Sequence, residues 1–347
     1  MSAQLAAAAS GEGSFSGLVK RQFTKPKPLP DVDLSSQVAI VTGANAGVGY
    51  AASRHLLRLG LSRLIMGVRS QTRGDKAASM LRKEFPSASV DVWILDMTSY
   101  DSIQAFAKQV ETLSRLDIVI LNAGMGATSY EAVPSTGHEL TIQINYISTA
   151  LLGLLLLPIL KTHSARIPAS ARNGHPPAMT LVGSDIMYSN SIPDPLTGPP
   201  ILSRWDDPKQ FSMTKIYGVS KVLLLLFGWK LADLVTPDEV LVNVSNPGMT
   251  GGTQFFAKSP FLVRKVVGLM QAALARTAET AATIYVDAVL GHGKESHGGF
   301  VSDWAIKPYP SVCYSADGPK LRDRLWEETI QELKPFGAAQ ALEKLKK

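Results

Sequence analysis

Tyr217 and Lys221, in "YGVSK", stand four residues apart. On a helix that spacing puts both side chains on one face. A free tyrosine has a pKa of about 10, too high for a good base at neutral pH. A neighbouring ammonium favours the phenolate and lowers that value. The two residues could therefore be a catalytic pair, with a core tyrosine as the alternative. They open "KIYGVSKVLLLLFGWK" (215–230), whose leucines, Phe227 and Trp229 read as a buried helix.

A second chemistry-bearing stretch is "TGANAGVG" over 42–49, directly after an apolar run. Gly43 suits a tight turn, Gly47 lets a pyrophosphate approach the backbone, and Gly49 permits close helix–strand packing. Asn45 and Val48 lie in the same turn. The helix that follows offers unpaired N–H groups and a partial positive charge to phosphates. The next strand-like run ends in "MGVRS", with Arg69 where an acid would favour NAD(H). An arginine there can fork onto a 2′-phosphate, which favours NADP(H). Asp96 ends the third run and could accept from an adenine amino group or cap a helix.

The elements that must position these residues are legible as alternation. "QVAIVT" (37–42), "RLIMGV" (63–68), "VDVWIL" (90–95), "DIVILN" (117–122), "AMTLVG" (178–183) and "VLVNVS" (240–245) are short apolar runs with helix-length segments between them. Continuously apolar strands are covered on both faces. The pattern predicts an α/β fold: a Rossmann-like, doubly wound parallel sheet of about seven strands with helices on both faces. Residues 1–35 are expected to be a disordered tail and linker, 36–335 a single domain, and 336–347 a C-terminal tail. Two Pro/Gly/Ser/Asn-rich insertions, at about 161–177 and 190–210, interrupt the domain, and the second is expected to form a substrate lid. The long apolar helices suggest a homodimer or homotetramer.

Composition excludes other classes. The net charge is +6, and much of the excess sits in the N-terminal tail, where Lys20, Arg21, Lys25 and Lys27 face Glu12. That is not a folded basic face, and no nucleic-acid partner is expected. Cys313 is the only cysteine, and the six histidines show no ligand spacing, so no metal is expected. "LLGLLLLPIL" (151–160) is too short to span a bilayer and contains Pro158. No secretory signal is evident, and the cytoplasm is the default compartment.

In order along the chain, "TGANAGVG", "LNAG" (121–124), Asn145 in "IQINYIS", Ser184 in "LVGSD", "YGVSK" and "NPG" (246–248) resemble the short-chain dehydrogenase/reductase family over about residues 36–304. A looser likeness is to fungal secondary-metabolite reductases. The resemblance implies an NADP(H)-dependent oxidoreductase that interconverts a carbonyl and an alcohol on a hydrophobic small molecule. Tyr217 would be the acid or base, and Lys221 would tune it and bind the nicotinamide ribose. Ser184 would hold the substrate oxygen, and Asn145 a relay water. Asn122, Ala123 and Gly124 would lie against the adenosine side; Pro247, Gly248 and Thr250 would contact the nicotinamide carboxamide. Two departures stand out. The family's usual threonine position holds Gly252, between Thr250 and Thr253, and Ser184 lies 33 residues before Tyr217, with Ser189 and Ser191 nearby. A non-redox lyase or isomerase, or a non-catalytic dinucleotide sensor, are the other functions this fold could carry.

Overall fold

The apolar runs become β1 Val38–Thr42, β2 Arg63–Val68, β3 Ser89–Ile94, β4 Ile118–Leu121, β5 Ala178–Val182, β6 Leu241–Asn246, β7 Phe300–Ser302 and β8 Ala305–Lys307. The computed structural model describes residues 3–168, 171, 174–251 and 275–346. The strands form one sheet in the order β3-β2-β1-β4-β5-β6-β7-β8. All pairings are parallel except β7 with β8. The extra strand beyond the expected seven is this three-residue edge, reached through a tight turn at Asp303 and Trp304. Both turn residues are left-handed, at φ 55° and 57°, as a short hairpin of the right twist requires.

Strand order reverses between β1 and β4, so a crevice opens at their carboxyl ends, where ligands bind in such sheets. The central strands β1, β4, β5 and β6 are buried at every residue, whereas the edge strands β3 and β8 are partly exposed. Val38 and Ile40 of β1 join one apolar layer, and Ala39 and Val41 the other. On the first side lie α5 Tyr100–Val110, α6 Thr149–Arg166 and α7 Met213–Ala232; on the second lie α3 Gly47–Arg58, α4 Gln71–Glu84 and α8 Ala278–Leu290. Leu140–Arg166 is, among the described residues, long and apolar enough to cross a membrane, and it is buried inside the fold.

Four parts of the chain depart from the sequence reading. The stretch expected to be a disordered tail forms α1 Ala3–Glu12 and α2 Phe15–Gln22. Arg21 and Gln22 are buried there, because they find partners in the body of the fold that composition does not reveal. Residues 338–345, within the expected C-terminal tail, form α10 Ala338–Leu345, which buries Ala338, Ala341 and Leu345 on one face. The first insertion begins as the last turns of α6, which runs to Arg166. Finally, Leu223 to Leu226 are buried within the chain itself. Their outer side is covered by α9 Gly318–Leu333, where Trp326 stacks on Phe227 at 5.7 Å. The apolar surplus on α7 therefore carries no argument for an oligomer.

The same α9 pins the 190–210 insertion. Arg324 donates to the carbonyls of Pro195, Gly198 and Pro199 at 3.0–3.1 Å, and Glu328 accepts from the backbone N–H of Ile201 at 2.6 Å and of Leu202 at 3.2 Å. Ile201, Leu202 and Trp205 of the insertion are buried. His138 clasps the end of the insertion to α9: its ring lies 3.0 Å from Asp206 Oδ2 and 3.4 Å from Glu332 Oε1. Burial pulls the His138 pKa down, but bonding and charge from the two carboxylates outweigh it and lift the value from 6.5 to about 9. A raised histidine stabilises fully below its unfolded pKa and loses that contribution as pH climbs through the folded one. His138→Gln should therefore lose about 2 kcal/mol near pH 6. The gap to wild type should close by about pH 10 in urea titrations, and a gap that is the same at both ends would reject the clasp.

Candidate active site

The glycine turn is built where β1 hands over to α3. Gly43 and Gly47 are left-handed, at φ +67° and +58°. A Cβ at Gly49 would lie 2.4 Å from Asn122 Nδ2 and 2.7 Å from the Gly43 carbonyl, so only glycine lets α3 pack there. A Cβ at Gly47 would meet nothing within 4 Å. The N-cap, Ala46, is exposed and offers no side-chain cap, so the first N–H groups of α3 have no side-chain acceptor from the cap. A bare helix N-terminus above an open cradle fits a dinucleotide's phosphates. Val48 is buried and Asn45 half-buried in the turn.

The rest of the cradle is tied to this turn. Asn122 Nδ2 donates to the Thr42 carbonyl at 2.8 Å, and the Ala123 N–H to Thr42 Oγ1 at 2.9 Å. Arg69 lies exposed at the end of β2. Asp96 Oδ1 accepts from Thr98 N–H at 2.9 Å and Thr98 Oγ1 at 2.8 Å, so it caps a turn.

At the other end of the crevice, Asn145 sits in a π-turn, Gln143–Ser148, just before α6. Such bulges often mark functional sites. Asn145 Oδ1 accepts from Met125 N–H, while Nδ2 donates to the Met125 carbonyl, both at 2.8 Å. The same Nδ2 reaches Ser220 Oγ at 3.1 Å, and that hydroxyl donates to the Tyr217 carbonyl at 2.7 Å. A Cβ at Gly124 would stand 3.1 Å from Asn145 Oδ1 and 3.7 Å from Lys221 Nζ, so glycine keeps the three groups close.

Lys221 is buried, and Nζ donates to the Val182 carbonyl at 2.7 Å. Burial pushes its pKa down to about 8. Nζ lies 5.6 Å from the centre of the Tyr217 ring. Tyr217 is hydrogen-bonded to Ser184. The expectation that Lys221 lowers the Tyr217 pKa is overturned here. Burial pushes it up to about 12, with the Ser184 bond pulling it down and the Asp185 charge adding to the rise. Desolvation outweighs the Ser184 bond, and the Lys221 ammonium is engaged by the Val182 carbonyl.

The loop after β6 completes the site. Gly248 is left-handed at φ +73°, and Thr250 Oγ1 donates to its carbonyl at 3.1 Å. Thr250 pairs by backbone with Arg276. Gly252 and Thr253 lie outside the described residues. Sequence reasoning missed Ser220, although it stands inside "YGVSK", and Asp185, although it follows Ser184. It also missed Gln22 and Arg276, for which no local signal exists.

A family model described as short chain dehydrogenase matches residues 37–170. The curated "Short chain dehydrogenase virL" of Hypocrea virens is 53% identical over 100% of both chains. The chain belongs to the short-chain dehydrogenase/reductase family. The "Short chain dehydrogenase/reductase mfmJ" of Annulohypoxylon moriforme is 42% identical over 94% of both chains. Among solved structures, L-sorbose reductase from Gluconobacter frateurii, complexed with NADPH and L-sorbose, superposes with a TM-score of 0.58 at 22% identity. That match covers 79% of this chain and 98% of the other, and it shows the shared fold. Membership makes the protein an oxidoreductase that works with a nicotinamide dinucleotide on small carbonyl or alcohol substrates.

The two glycines should respond differently to a methyl group. Gly49→Ala drives a Cβ into backbone and Asn122 and should cost about 2–3 kcal/mol in thermal or urea unfolding. Gly47→Ala has room but keeps a positive φ, so it should cost only about 1 kcal/mol and yet weaken dinucleotide binding in calorimetry. Equal stability losses would contradict the geometry.

Proposed function

We propose that the protein is an NADPH-dependent reductase of a ketone or aldehyde carried on a hydrophobic small molecule, in a fungal-type secondary-metabolite pathway. The observation that carries this reading is the half-buried Tyr217, bonded to Ser184 and one helical turn from Lys221, at the carboxyl ends of the central strands. A phenol held at about 12 is protonated at neutral pH and therefore poised to give a proton rather than take one. When bound, NADPH supplies the hydride. Ser184 holds the substrate oxygen, and Tyr217 donates its proton to that oxygen. Lys221 binds the nicotinamide ribose. Asn145, locked by Met125 and Ser220, orients a relay water beside Lys221.

On the adenosine side Arg69 would meet the 2′-phosphate, with Asn45, Val48, Asp96, Asn122, Ala123 and Gly124 lining the path from the glycine turn. Pro247, Gly248 and Thr250 would face the nicotinamide carboxamide. NADPH and NADP named with several structural neighbours support this preference, as does the exposed guanidinium at the end of β2. The crevice end near α7 would take an apolar substrate, with the 190–210 insertion as its wall.

Tyr217→Phe should retain NADPH binding and lose about 10²- to 10⁴-fold in kcat. Full turnover in that variant would sink the mechanism. Arg69→Ala should weaken NADPH by roughly 10- to 100-fold and leave NADH unaffected. If NADH serves the wild type as well as NADPH, the cofactor assignment fails. Reductive kcat/KM should fall through an alkaline limb near pH 8, as the buried Lys221 ammonium loses its proton. A profile flat through pH 8 would show that its charge is not needed.

A further inference from the structure

We infer that α2 is a built-in strap that fixes the nicotinamide-side loop to the loop carrying Ser184, with Gln22 and Arg21 as its positioning residues. The inference rests on the proposed roles of Ser184 and of residues 247–250. Gln22 treats Met249 as a neighbouring strand would: its Nε2 donates to the Met249 carbonyl and its Oε1 accepts the Met249 N–H, both at 3.0 Å. A Cβ at Gly248 would stand 2.7 Å from Gln22 Oε1, so the glycine is what allows the approach. On the loop's inner side the Gly248 N–H is held by Asn246 Oδ1 at 3.0 Å.

The preceding residue reaches the other loop. Arg21 Nε donates to Asp185 Oδ2 at 3.2 Å, one residue from Ser184, and its guanidinium lies 5.3 Å over the Tyr188 ring. Its Nη1 pairs with Glu12 at 2.7 Å, and Glu12 in turn accepts from Lys307 of β8 at 2.9 Å. The Arg21 carbonyl accepts from Arg276, which also bonds Asp303 at 2.6 Å and reaches the Pro247 carbonyl at 3.5 Å. Arg21 is 4% exposed. A guanidinium that deep is tolerated only with its partners in place, so the bridge is a fixed part of the site. Two consecutive residues of one helix therefore set the spacing between the substrate-oxygen loop and the carboxamide loop. This helix lies outside residues 37–170, the part matched by the family model.

The test uses full-length Gln22→Ala and Arg21→Gln, with Arg21→Lys as the conservative rescue. Binding of NADPH is compared with binding of 2′,5′-ADP, which carries only the adenosine half, and hydride transfer is followed in single turnovers. Gln22→Ala should weaken NADPH by about tenfold and leave 2′,5′-ADP unchanged. Arg21→Gln should slow hydride transfer by about tenfold or more at saturating NADPH, and Arg21→Lys should recover part of that loss. Variants that match the wild type in both assays overturn the strap. So does an equal loss of both ligands, which reports general damage. Failure of the underlying reading looks different, because the wild type itself would then bind neither ligand.

Discussion

A buried lysine is the constraint on which the candidate site turns. Lys221 sits on a helix that is apolar on every side, and its ammonium has to be satisfied where no water reaches. The carbonyl of Val182, at the end of β5, answers that need. The bond locks the first turns of α7 against the strand that delivers Ser184, so one contact fixes Tyr217, Lys221 and Ser184 together. Gly124 and Asn145 complete the fit because neither leaves bulk between β4 and the ammonium.

Much of this was legible in the sequence because it is local. A strand that stops at glycine and restarts as a helix names its own phosphate turn, and "YGVSK" places Tyr217 and Lys221 on one helical face. Alternation of apolar runs and helices fixed the sheet for the same reason. What stayed hidden depends on long-range pairing. The α2 residues Arg21 and Gln22 read as part of a solvated basic tail, since nothing near them signals Asp185 or Met249, more than 160 residues away. The leucines 223–226 looked like surplus surface because the covering helix, α9, arrives about a hundred residues later.

The Tyr217 pKa shows the same limit in electrostatic form. Spacing gives the presence of an ammonium on the right face, and proximity alone argues for a lowered value. The direction depends instead on how much water is removed and on which groups surround the phenol, here Ser184 and the Asp185 charge. Both are properties of the packed site, and both oppose the local argument. The outcome is a phenol suited to giving a proton and an amine close to its titration point.

That electrostatic state is maintained from a distance. Burying Lys221 requires α7 to be enclosed on more than one side, and the sheet covers only one of them. Helix α9 supplies the other, and through Arg324 and Glu328 it also holds the 190–210 insertion in place. The insertion that separates Ser184 from Tyr217 is thus folded onto the same helix that packs on Phe227 of α7. The added length between those two residues is therefore anchored: the chain that separates them is bonded to the helix that covers the far half of α7.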